Sequence, residues 1–96
     1  MRQTFTATIR GFESKRYYKD VGLPYSIAFL TDVATSDGHA ISGLRLTSVM
    51  PYTKSLHALN PSRTAKIQFT AELDLEAISA NRARVFKRPL GFKILN

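Results

Sequence analysis

The chain has no cysteine and no tryptophan. Without thiols there is no disulfide framework and no thiolate for a metal, a pattern that suits a reducing cytosol. No apolar run approaches the roughly 20 residues of a membrane-spanning helix. The polar, Thr-rich start lacks the charged-then-apolar order of a secretory leader. The expectation is a soluble cytoplasmic protein with no membrane contact. Glycine-rich phosphate cradles at helix starts are missing, as are the elbow glycines that mark an activated serine. His39 and His57 have no acid at metal-ligand spacing and read as solvent-facing, while Asp32 and Asp37 read as flanking a turn. No catalytic residue, metal site, cofactor or small-molecule substrate is expected.

Acid is scarce as well: 7 Asp and Glu stand against 14 Lys and Arg, for a net charge of +7. The corresponding isoelectric point near 10.2 is that of a surface that attracts polyanions. Ninety-six residues make a single domain, 1–96, able to bury about 60–70% of its unfolded surface in one core.

Period-two alternation dominates the chain, and no long helical period competes with it. Residues 2–10 place Phe5, Ala7 and Ile9 on one face and Thr4, Thr6 and Thr8 on the other, with Gly11 as the expected end. The spacing predicts further strands over 23–33, 41–49, 64–75 and 82–86, with Ala77–Asn81 as a hairpin tip. Pro89 is expected to end pairing or mark an edge. The tail after it, with Phe92 and Ile94, is expected to cover the end of the fold. Residues 50–62, bracketed by Pro51 and Pro61, carry no strand period and suit a crossover. Five strands of this kind predict an all-β fold, an OB-like Greek-key barrel with protruding hairpins, with an SH3-like barrel as the rival.

Two basic groups carry the binding signal. The stretch ESKRYYKDVGLPYSIAF, 13–29, sets Lys15, Arg16 and Lys19 around Tyr17 and Tyr18 and then passes Gly22 and Pro24 into Tyr25. Cations grip a phosphate chain and aromatic faces stack its bases, the pairing a single-stranded nucleic-acid binder needs. Tyr25 also fits ordinary strand core, and Phe29 is assigned to the core. The second group, NRARVFKRP, holds Arg82, Arg84, Lys87 and Arg88 and no acid. On an uninterrupted strand Arg82, Arg84 and Arg88 share a face, which suits either a backbone-tracking groove or an edge strand protected by charge. Arg45 is placed to complete such a groove. Leu75, Ala77 and Ile78, at the expected hairpin tip, form an apolar patch that calls for a second copy of the chain.

The stretch GLPYSI at 22–27, with basic residues just upstream, resembles the G-K-P-Y-S-L that opens the second strand of the filamentous-phage gene V family of single-stranded DNA-binding proteins. LRLT at 44–47 falls where that family has V-K-I-T, and NRARV at 81–85 falls on its D-R-L-R-L. The resemblance implies a five-stranded OB-like barrel, a twofold homodimer, and largely sequence-independent coating of single-stranded phage DNA during replication. It implies Tyr25 as the stacking tyrosine, Ile27 as an adjacent apolar contact, and Lys15, Arg45 and Arg82 at phosphate positions. Leu75 stands where the family has a phenylalanine on the dimer hairpin, and Val33 and Ala40 stand at family tyrosines. The tail from Arg88 has no counterpart. A small barrel that binds an acidic protein partner, or RNA, is the alternative reading.

Overall fold

The computed structural model describes residues 2–15, 25–51, 56, 58–59 and 61–95. The alternation that opens the chain becomes β1, Arg2–Lys15. Its odd residues Phe5, Ala7 and Ile9 are buried, while Thr4, Thr6 and Thr8 keep partial contact with solvent. Gly11 does not end this strand. It sits opposite Phe29 inside the ladder, because the partner β2, Tyr25–Thr35, runs alongside as far as the pair Lys15↔Tyr25.

Three more strands follow: β3, Ser48–Pro51; β4, Lys66–Leu73; and β5, Phe86–Ile94. All four ladders are antiparallel and give the order β3-β2-β1-β4-β5. The sheet curls strongly into a half-barrel, and a short helix α1, Leu75–Ser79, follows β4. The edge strand β3 is met by the segment just before β5. The Val49 amide donates to the Ala83 carbonyl at 3.0 Å, and Val49 forms a parallel bridge with Arg84.

The concave side holds the core. Phe5, Phe69 and Phe86 meet with ring centroids 5.0–5.9 Å apart, and Phe92 extends the cluster from Phe69 at 5.8 Å. These tilted and edge-on arrangements are the ones aromatic quadrupoles favour. Ile9, Leu30, Met50, Leu56 and Ile67 are fully enclosed around them.

Several sequence expectations shift here, each for a local reason. The third strand was expected from Ile41, but the chain stays irregular to Thr47 and pairs only from Ser48. Gly43 adopts φ 79°, a left-handed turn that breaks the alternation of Leu44 and Leu46 out of any ladder. Leu44 packs on the core, and Leu46 is 93% exposed.

The fourth strand was expected to run from Thr64 to Leu75. Thr64, at φ 87°, lies outside the ladder, and Asp74 stops the strand by capping α1, accepting the Ala77 amide at 3.1 Å. A helix therefore replaces the expected hairpin tip. Of the apolar patch assigned there, Ala77 is buried and Ile78 packs half-buried on the core; only Leu75 is exposed, at 70%.

The fifth strand starts at Phe86, not Arg82, so the condition for a one-faced arginine row is not met. Pro89 lies inside that strand. The register slips between Glu72↔Lys87 and Thr70↔Leu90, leaving an extra residue at 88–89, where proline's missing donor costs no ladder bond. Arg88 takes φ 52° in this bulge, and its carbonyl accepts from the Arg2 guanidinium at 2.7 Å. The expected covering tail is the second half of β5, and Phe92 and Ile94 pack from it onto the core.

Candidate nucleic-acid interface

β2 and β3 present a second face, opposite the core. Ala28 and Leu30 turn inward with their partners Met50 and Ser48, all buried. Ile27 and Phe29 turn outward, paired with Pro51 and Val49, and all four are half-buried. Directly opposed residues in an antiparallel pair share a face, so these four form one apolar strip. Phe29, assigned to the core from sequence, belongs to this strip instead. The backbone of Tyr25 starts β2, paired with Lys15 at the end of β1. The side chains of Lys15 and Tyr25, and residues Arg16, Tyr17, Tyr18 and Lys19 entirely, lie outside the described residues.

The strip leads to the second basic group through the Val49–Arg84 bridge. Arg82, Arg84, Lys87 and Arg88, all exposed, line a cleft of about 470 Å³ with Asp74 as its acid and Ala77 and Phe86 as apolar lining. The three arginines come together although they do not share a strand. The turn after α1 positions Arg82, the bridge to β3 positions Arg84, and the β5 bulge positions Arg88. Asp74 accepts from the helix start, and four cations against its one carboxylate leave an excess of positive charge facing the opening.

Arg45 joins this group from the 41–47 segment. Its guanidinium donates to the Asn81 carbonyl at 3.4 Å, next to Arg82. Strand geometry puts the Tyr25 and Arg84 backbones roughly 16 Å apart, four residues along β2 and two strands across.

A further cleft of about 610 Å³ lies between the β1–β2 ladder and the 40–47 segment, with Arg10, Asp32 and Arg45 on its walls. Sequence reasoning did not single out Arg10, because its placement comes from a register shift that no residue pattern announces. Asp37 and His39 belong to an exposed turn, and neither lines either cleft. The Thr35 hydroxyl donates to the Asp37 carboxylate and, with His39 3.3 Å away, holds its pKa below the usual carboxylate value. Among the described residues no cluster of three His, Asp or Glu side chains is arranged to hold a metal. No described helix is long and apolar enough to cross a membrane. Comparison with family models, curated proteins and solved structures found no match to this chain.

Proposed function

We propose that this protein binds single-stranded DNA, without catalysis, along a track that starts at the Lys15–Tyr25 end of the first hairpin, crosses the β2–β3 face and ends in the arginine cleft. The observation that carries the reading is the continuity of the apolar strip Ile27, Phe29, Val49 and Pro51 with the cleft of Arg82, Arg84, Lys87 and Arg88. Unpaired bases need flat apolar surface, and their phosphates need cations alongside it. A duplex hides its base faces and gains nothing from such a strip.

The order β3-β2-β1-β4-β5, with a parallel approach of β3 to the segment before β5, supports an OB-like Greek-key reading of the half-barrel. In that architecture the face of strands 2 and 3 is the usual oligonucleotide platform. The likeness of residues 22–27, 44–47 and 81–85 to the gene V family supports a phage-type coating role in the host cytoplasm and self-association through exposed Leu75.

Fluorescence polarisation with labelled oligo-dT, the matching duplex and oligo-rU tests the proposal. Oligo-dT is expected to bind saturably and at least tenfold more tightly than duplex. Its log–log salt slope is expected near −0.7 per neutralised phosphate, so between about −2 and −4 for three to five contacts. Equal binding of duplex and single strand contradicts the track. Stronger binding of oligo-rU moves the assignment to RNA.

A further inference from the structure

The β1–β2 ladder contains two irregularities that fall side by side. Between the pairs Ile9↔Leu30 and Gly11↔Phe29, β1 carries one extra residue, Arg10. Between Thr8↔Thr31 and Thr6↔Ala34, β2 carries an extra residue at 32–33. Asp32 there adopts φ 54°, a left-handed conformation unfavourable for a residue with a side chain. Bulges re-aim side chains out of the pleat and are concentrated next to binding sites, and strained backbone is retained where surrounding structure or function holds it.

Here the two bulges deliver an arginine and an aspartate to the same cleft. Both side chains are exposed, and neither has a hydrogen bond or ion pair with another described residue. Val33, Ile41, Leu44 and Leu46, which is 93% exposed, give the cleft an apolar stretch beside the polar Thr31, Arg45 and Thr47. The volume of about 610 Å³ falls within the roughly 300–1,000 Å³ of small-ligand sites. Arg45 lines this cleft and reaches the Asn81 carbonyl beside Arg82, so the cleft adjoins the proposed DNA track.

We propose that this cleft seats one base of the bound strand and that Asp32 and Arg10 read its edge, favouring cytosine over thymine. The inference rests on the single-stranded DNA reading above. A carboxylate only accepts hydrogen bonds and a guanidinium only donates them. Cytosine meets this pair in full: its N4 amino group donates to Asp32, and its N3 and O2 accept from Arg10. Thymine offers a single imino N–H between two carbonyl oxygens, both of which repel the carboxylate. Leu46 and Val33 supply apolar surface for the ring.

The test compares labelled oligo-dC and oligo-dT of equal length at slightly alkaline pH, where cytosine is unprotonated, with the wild-type chain and with Asp32→Asn. Asparagine tolerates the left-handed backbone, and its amide both donates and accepts, so it pairs with either base. Wild type is expected to prefer oligo-dC by about tenfold, the low end for a base-edge contact. Asp32→Asn, shown folded by its circular dichroism, is expected to bring the two strands to near parity by weakening oligo-dC. Equal affinities in the wild type overturn base reading and leave single-strand binding standing. A preference that survives Asp32→Asn overturns the role of Asp32. Failure of the wild type to bind either strand overturns this inference together with the reading it rests on.

Discussion

Alanine at both Arg82 and Arg84 is expected to weaken oligo-dT binding on the order of 100-fold at moderate salt. A hydrogen bond to a charged group contributes about 1.5 kcal/mol or more, close to tenfold in affinity for each phosphate lost. The salt slope is expected to flatten by about 1.4, twice the single-strand value of 0.7 per contact. Both side chains are exposed, and the parallel bridge uses only the Arg84 backbone, so the fold is expected to keep its stability. Arg63→Ala is the control: it is also exposed and removes a charge outside the cleft. Comparable losses in Arg63→Ala and in either single cleft variant mean that net charge alone drives association, and the cleft loses its role.

The largest stability effect is expected at Phe69. Its ring meets Phe5, Phe86 and Phe92, which ties β1, β4 and β5 into one core. Phe69→Ala is expected to cost about 3–5 kcal/mol, a large share of the roughly 5–15 kcal/mol that holds a small domain together. Urea denaturation is expected to show the midpoint falling sharply with an unchanged slope. Leu46→Ala, a larger change in hydropathy than in packing, is expected to leave the midpoint nearly unmoved because Leu46 is 93% exposed. A Phe69→Ala loss below about 1 kcal/mol contradicts the assigned core.

The parts of the fold read well from sequence are those where a two-residue period meets a one-sided core. β1 and β4 announce themselves through Phe5, Ala7 and Ile9 and through Ile67, Phe69 and Ala71, all buried as alternation requires. Alternation misleads where backbone chemistry intervenes. Leu44 and Leu46 keep the period while Gly43 has already turned the chain away. Leu73 and Leu75 keep it across Asp74, whose side chain caps a helix in place of continuing the strand. The DLEA sequence at 74–77 carried that capping signal and the strand period hid it.

The candidate site divides along the same line. The cluster of Arg82, Arg84 and Arg88 was visible as composition, but the expected reason, a single strand face, was not the one the fold uses. A helix turn, a bridge and a bulge bring the three together. Arg10 and Asp32 were not legible as a pair because ladder register, a property of two strands jointly, decides where bulges fall. Hydropathy alone points Phe29 inward, yet its pairing with Val49 sets it on the outer strip. A residue's face follows from the partner strand as much as from its own hydropathy.

The most direct measurement is an amide and side-chain NMR titration of the protein with short oligo-dT. The expected result is a set of saturable shifts that share one dissociation constant and run together through Ile27, Phe29 and Val49 to the Arg45, Arg82 and Arg84 side-chain signals. Shifts confined to the arginines, with the β2–β3 strip silent, would show a polyanion held by charge and no stacked strand, and would contradict the proposed track.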